Sequence, residues 1–272
     1  MSVLTLRVAA LVAACALLGL TSCSGPATAR VGTPEFYWYA AKETYAAGDY
    51  QKTADHLDHL IDGQNEYTAR AVPWSLVLTS GMAAGYIELA DTYSAGARVN
   101  KANALAFRRK ASEYRTMASP LVLRFAQDAE KMSQIPSGAI QLAFGLPKGT
   151  AVTPVLLAQI AGGIQLTAAQ AEQAQLLAMQ RNVLLAVCRA AGAPNDTART
   201  EEVLGHASAL VPRVQFENAI SQMLTAEAAL YARDRMDDPQ KLEAIRHRAE
   251  NVAAGTARAG TSKLPPVEAG VH

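Results

Sequence analysis

An all-α fold is what this sequence predicts, and three observations carry it. Roughly one residue in five is alanine, only 6% are aromatic, and apolar residues recur at helical spacing between proline and glycine punctuation. Alanine is the strongest helix former, while the β-branched and aromatic runs that favour strands are scarce. With 272 residues, half of them hydrophobic, the chain has ample length for a core, as one large domain or two small ones. The 25 basic and 24 acidic side chains almost cancel, so no clustered basic excess exists to grip a phosphate backbone, and nucleic acid is excluded as a partner.

The elements follow in order. Thr33-Pro34-Glu35 opens a first helix with a capping hydroxyl, a proline at the first position and an acid in the first turn; it runs to about Ala47. Gly48-Asp49 makes a turn, and Asp49 caps a second helix from Tyr50 to Asp62. Pro73 opens a third through Trp74, Leu76, Met82, Tyr86, Leu89 and Tyr93, closing near Gly96 and Asn100. Lys101 to Met117 is the fourth, with Leu105, Ala106, Tyr114 and Met117 near its inner face. Ser119-Pro120 then restarts a helix to about Ile135.

From Ile135 to Gln180 only Lys148 and Glu172 are charged. Pro136, Gly138, Gly145, Pro147 and Gly149 make its first part a loop. A short helix runs from Thr153-Pro154 to Ala161, Gly162-Gly163 breaks it, and a long helix covers Thr167 to Ala191. Glutamines and glycines argue against a membrane span here. Two readings stand: a central helix buried on most sides, or an exposed apolar groove for a partner or greasy ligand. Asn195 to Thr200 caps a further helix with Glu201 and Glu202 in its first turn. Pro212 opens one with Phe216, Ile220, Met223, Leu224 and Leu230 on one face, and Asp238-Pro239 starts a last one ending near Arg258. No strand is expected. Composition divides the body into modules 34–134 and 135–258, with an aperiodic tail over 259–272 expected to be disordered.

The N-terminus reads as an address. Arg7 is the only charge before the apolar run Val8 to Leu20, whose 13 residues would span roughly 20 Å as a helix, short of a bilayer core of roughly 30 Å. That pattern marks a secretory signal over 1–22. Leu20-Thr21-Ser22-Cys23 resembles the lipobox of bacterial lipoproteins, a family in which the cysteine is lipidated and becomes the new N-terminus. The resemblance implies acylation of Cys23 and a membrane anchor through its acyl chains, with 23–33 as lipidated residue and tether. Ser24, where an aspartate would favour the inner membrane, points to the outer membrane facing the periplasm, the inner membrane being the alternative. Losing Arg7 leaves 24 bases against 24 acids. With Cys15 removed and Cys23 lipidated, Cys188 has no disulfide partner, and the apolar run Val183 to Val187 reads it as a buried hydrophobe.

Residues 36–61, FYWYAAKETYAAGDYQKTADHLDHLI, resemble one tetratricopeptide (TPR) repeat. Tyr37, Ala40, Ala41, Gly48, Tyr50, Thr53, Leu57 and Leu60 fall on its large, small and closing positions. Threonine stands where the repeat usually has alanine, and no proline closes it near Asn65. The resemblance implies TPR-like antiparallel hairpins in a bundle or short solenoid, a class that binds partners, so another envelope protein is the expected partner. The stretch Gly81 to Gly96, GMAAGYIELADTYSAG, joined to this hairpin is similar to the TPR lipoprotein of TRAP-type uptake systems. That alternative implies a small apolar ligand and a periplasmic solute-binding protein. Candidate surface residues for a partner or ligand are Tyr37, Trp38, Tyr45, Ile140, Phe144 and Leu146.

No catalytic constellation is visible: G-x-S-x-G, H-E-x-x-H, a P-loop and C-x-x-C are all missing, so no enzyme and no cofactor are expected. Asp55, His56, His59 and Asp62 have ligand chemistry on one helical stretch, yet Leu57, Leu60 and Ile61 mark the buried side, which leaves both histidines in solvent and no metal site. Arg108-Arg109-Lys110 with Arg115 is a solvated face or a contact for anionic lipid or a partner. His206 lacks a triad acid at suitable spacing, and the sequon Asn195-Asp196-Thr197 is idle in a bacterial lipoprotein.

Overall fold

The structure, a computed structural model, describes residues 29–205 and 209–233 together with His247. The signal and Cys23, His206, the helix expected after Asp238, the tail, and the side chains of Leu224 and Leu230 lie outside the described residues.

The molecule is all-α. Helix α1 (Pro34–Ala47) begins where Thr33 Oγ1 accepts from the Phe36 amide at 3.3 Å, and Gly48 closes it at φ +85°, a conformation glycine adopts without strain. Asp49 caps α2 (Tyr50–Asp62) by accepting from the Lys52 amide at 3.2 Å. Buried Thr53 bonds to the Asp49 carbonyl at 2.9 Å and to the Thr44 hydroxyl at 3.0 Å. The threonine that departs from the repeat pattern thus latches the hairpin and satisfies its own hydroxyl.

Helix α3 (Thr68–Val99) is 32 residues long, about 48 Å, and starts five residues before Pro73, which lies inside it. The earlier start is set by the turn after α2. Thr68 Oγ1 donates to the Leu60 carbonyl at 2.8 Å, and Asn65 Oδ1 accepts from the Tyr67 amide at 2.9 Å. Pro73 forfeits only the bond to the Ala69 carbonyl, and Ala69 is exposed to water. Helix α4 (Ala104–Lys131) runs without interruption through Pro120, where a restart was expected. Pro120 and Thr116, whose carbonyl loses its partner, both face solvent, while Ala118, Leu121, Val122 and Phe125 bury the opposite side.

A 3₁₀ turn (Met132–Gln134) leads into β1 (Ile140–Gln141), which pairs antiparallel with β2 (Leu210–Val211). This two-stranded ribbon was not expected from the sequence; Ile140, Leu142 and Phe144 alternate inward along it. Next come α5 (Val155–Ala161) and α6 (Ala168–Ala190), the latter opened by a capping box between Thr167 and Gln170. Asp196 caps α7 (Thr197–Leu204), whose first turn carries no acid because Glu201 and Glu202 lie a turn further on. Helix α8 (Arg213–Arg233) is the last element whose bounds the structure describes. Arg213 donates to the carbonyls of Met132, Ile135 and Pro136 and pairs with Glu217 at 2.7 Å, tying α8 to the end of α4.

Helix α3 lies at the centre, packed by α2, α4, α5, α6 and α8. One buried cluster extends from Trp38 to Met223, so the stretches before and after residue 134 share a core. At its heart Trp74, fully buried, stacks on Phe144 at 5.2 Å and meets Trp38 and Tyr45 edge-on at 5.5 and 5.4 Å. Three glycines of α3 admit neighbours at backbone distance. A Cβ on Gly81 would sit 2.6 Å from Val183 Cα, one on Gly85 would sit 2.7 Å from Met179 Cε, and one on Gly96 would sit 2.3 Å from the Ile160 carbonyl oxygen.

Replacing Gly81 by alanine is expected to destabilise the protein by about 1–3 kcal/mol, because overpacking against a backbone exceeds the roughly 1 kcal/mol that alanine adds in a helix. Gly145→Ala, where a Cβ meets nothing within 4 Å, serves as the neutral control. Urea unfolding of both variants measures the difference, and equal midpoints would remove the close-approach argument.

Candidate functional site

Helices α4 and α6 both pack on α3 but scarcely touch each other, which leaves a wedge between them. It forms a cleft of about 570 Å³. Its floor is aromatic. Tyr93 of α3 lies 5.7 Å from Phe107 and 5.6 Å from Tyr114, ring to ring, and Tyr114 stacks at 6.1 Å on Tyr86. Its walls are polar: Arg109, Lys110 and Glu113 from α4 face Gln165, Thr167, Glu172 and Gln175 from α6 and the loop before it. Lys110 and Glu113 pair at 2.9 Å. The Tyr114 hydroxyl donates to Gln175 Oε1 at 3.5 Å, a long bond across the floor.

Burial pushes the Tyr114 phenol up to about 12, with Tyr93, Glu113 and Tyr86 adding to it. Tyr93 is raised by burial and then by Glu113, and Tyr86 by burial against the hydrogen bond to Gln175. These hydroxyls are therefore neutral donors at physiological pH. A smaller hollow of about 230 Å³, lined by Tyr86, Met82, Leu176 and the turn Gly48–Gln51, shares Glu172 and Gln175 with the cleft. The two form one groove beside α6 from Thr167 to Met179, about 18 Å at 1.5 Å per residue. Leu176, 47% exposed, gives this groove an apolar edge.

The residues singled out from the sequence lie elsewhere. Trp38, Tyr45, Ile140 and Phe144 are buried core residues and offer no surface. The reason is the loop after the 3₁₀ turn. The Tyr45 hydroxyl donates to the Gly145 carbonyl at 3.2 Å and the Tyr50 hydroxyl to the Lys148 carbonyl at 3.4 Å, so the loop closes over the first hairpin. Tyr37 is half-buried and stacks on His59 at 4.1 Å, and Leu146 is half-buried against the core. The apolar stretch after Ile135 is core more than groove, apart from exposed Val152, Val155, Ile164 and Leu176.

On α2, His59 is exposed but His56 is half-buried against Phe36 and Tyr37, at 6.5 and 6.1 Å between rings. Among the described residues no three His, Cys, Asp or Glu side chains converge on a metal position. Asp58, between the histidines, pairs with Arg124; burial raises its carboxyl to about 6 against the pull of that guanidinium. Arg124 also donates to the Ala54 carbonyl at 3.0 Å, and the buried Asp128 accepts from Ser75 at 2.8 Å and pairs with Lys131 at 3.3 Å. These charges bind α2, α3 and α4 together. The basic run divides: Arg109 and Lys110 stand on the cleft, whereas Arg115 donates to Ser94 at 3.0 Å. Cys188 is buried and free, its thiol raised by burial. Among the described residues no helix is long and apolar enough to cross a membrane.

No protein-family model, curated protein or solved structure matches the chain. The chemistry of the cleft is therefore the chemistry of its own residues. It offers charges, amides, hydroxyls and rings, groups that can pair ionically, hydrogen-bond and stack. Arg109-Lys110 was the part visible in the sequence. The rings beneath came into view only when α3, α4 and α6 were packed.

The raised phenols give a pH signature. Above 10.0, the ordinary tyrosine value, phenols of an unfolded chain ionise while buried ones keep their protons, so the native state binds more protons and stability falls as pH rises. For Tyr50 and Tyr114 the fall continues to about 12. Tyr114→Phe is expected to make that decline shallower in urea unfolding followed between pH 10 and 12. An unchanged slope would place the Tyr114 hydroxyl in water instead.

Proposed function

We propose that this protein is a lipid-anchored scaffold of the bacterial cell envelope, outer-membrane bound and facing the periplasm, whose α6 groove docks a segment of another envelope protein. The observation that carries the reading is the character of the groove. It is open, about 18 Å long, aromatic below and charged along both walls, whereas the apolar stretch from Ile135 folds largely inward. Interfaces combine buried rings with polar rims in this way. The α1–α2 hairpin supports a TPR-like body: Ala41 is fully buried in its seam, Gly48 reverses the chain, and Tyr50, Leu57 and Leu60 are buried behind it.

The anchor rests on Leu20-Thr21-Ser22-Cys23. From Cys23 to Thr33 the chain reaches at most about 35 Å, enough to hold the body clear of the lipid surface. The alternative, a TRAP-associated lipoprotein with an apolar ligand, is favoured by the aromatic floor, and the four charged residues on the walls weigh against it.

Two measurements test the reading. Labelling the host with a palmitate analogue is expected to mark the protein and to fail on Cys23→Ala, which leaves the membrane fraction. A photocrosslinker at Gln175 in the anchored protein is expected to capture one recurrent envelope protein. A Cys23→Ala protein that still labels refutes the anchor, and a Gln175 probe that captures no protein refutes the docking.

A further inference from the structure

We propose that the segment docking in this cleft is an extended stretch of the partner that carries an apolar residue between an acidic and a basic one. The inference rests on the docking reading above and adds the partner's chemistry. Four charged residues line the cleft, and Lys110 and Glu113 neutralise each other at 2.9 Å. Among the described residues Arg109 and Glu172 have no ion pair and no hydrogen bond, and both are exposed. One unneutralised cation therefore stands on the α4 wall and one unneutralised carboxylate on the α6 wall.

Between them lie Tyr93, Phe107 and Tyr114, 8%, 3% and 3% exposed. A ring floor takes an apolar side chain, best an aromatic one at offset or edge-on geometry. A ligand seated there excludes water from both walls, and in that less polar setting each free charge attracts its opposite more strongly than in bulk solvent. An anion alone would lie against Glu172, and a cation alone against Arg109. Opposite charges on either side of an apolar group satisfy both.

The groove selects a chain segment over a small zwitterion. It continues past Glu172 and Gln175 to the Gly48–Gln51 turn, and its length of about 18 Å holds about five extended residues at roughly 3.3 Å each. Gln165, likewise without a hydrogen bond among the described residues, presents an amide that pairs with a peptide group. Leu176 offers a second apolar contact further along.

The test uses capped, fluorescently labelled heptapeptides and the protein from Ser24 onward, without the signal and the cysteine. One peptide has glutamate two residues before a phenylalanine and lysine two residues after it, so that all three side chains share one face of the extended chain; the other has glutamine at both charged positions. The charged peptide is expected to bind about tenfold more tightly by anisotropy. Arg109→Glu, which leaves two carboxylates facing each other across the cleft, is expected to abolish that preference. The double variant Arg109→Glu with Glu172→Arg is expected to restore it, since an extended peptide can lie in either direction. Both positions are exposed, and circular dichroism checks the fold of each variant. Equal affinity for the two peptides, no binding of either, or a single reversal without effect overturns the proposal. Free phenylalanine competing as well as the charged peptide overturns it in favour of a small ligand. If the Gln175 probe captures a partner whose crosslinked segment lacks the charge pair, this inference falls and the docking reading stands; if the probe captures nothing, both fall.

Discussion

The close approach along one stripe of α3 governs the rest of the molecule. Gly81, Gly85 and Gly96 lie within about 60° of one another around that helix. Each meets a neighbour that a methyl group would displace: Val183 and Met179 of α6, and Ile160 of α5. Helix α6 is thereby drawn in until it packs on α3 at backbone distance, with Ala178 and Val183 fully buried along the seam. Packing of this density is what permits a helix of 32 residues to be covered on several sides by an alanine-rich chain with few large side chains.

The cleft is a by-product of that geometry. Tyr86 and Tyr93 lie further round α3, about 60–140° from the glycines, between the line where α6 sits and the face that α4 covers. Once α6 is held on the stripe, the two outer helices diverge and these rings become the floor. The far side of the bundle is held differently. There Arg124, Asp58, Asp128, Lys131 and Ser75 tie α2, α3 and α4 through charge-assisted hydrogen bonds. The Glu88–Arg181 pair at 2.8 Å, with Arg181 also donating to the Ala151 carbonyl at 2.9 Å, fixes α6 and the loop before α5 beside the groove.

A lipid-anchored body with a mixed aromatic and charged groove gives a coherent picture of an adaptor in the proposed envelope setting. The α1–α2 hairpin forms one end of the groove through Gly48 to Gln51. The residues of the cleft carry charge, amide and ring surface.

Local chemistry set several helix boundaries by itself. Thr33-Pro34, Gly48-Asp49, Thr167 and Pro212 are signals that act within three or four residues, and α1, α2, α6 and the start of α8 fall where those signals put them. Pro73 and Pro120 gave equally strong local signals for helix starts, yet both lie inside helices because the carbonyls they orphan face water while the opposite face is buried on α3 or α4. The alternation of Ile140, Leu142 and Phe144 was legible but too short to stand out, and its partner strand lies about 70 residues away. The fate of the aromatic residues was beyond local reading altogether: Trp74 and Phe144, or Arg109 and Glu172, become neighbours or facing walls only through tertiary packing. The sequence by itself determined which segments are helical, since capping and propensity act along the chain. Only the tertiary structure decided which rings are core and which floor a cleft, because that depends on how closely three glycines let distant helices approach.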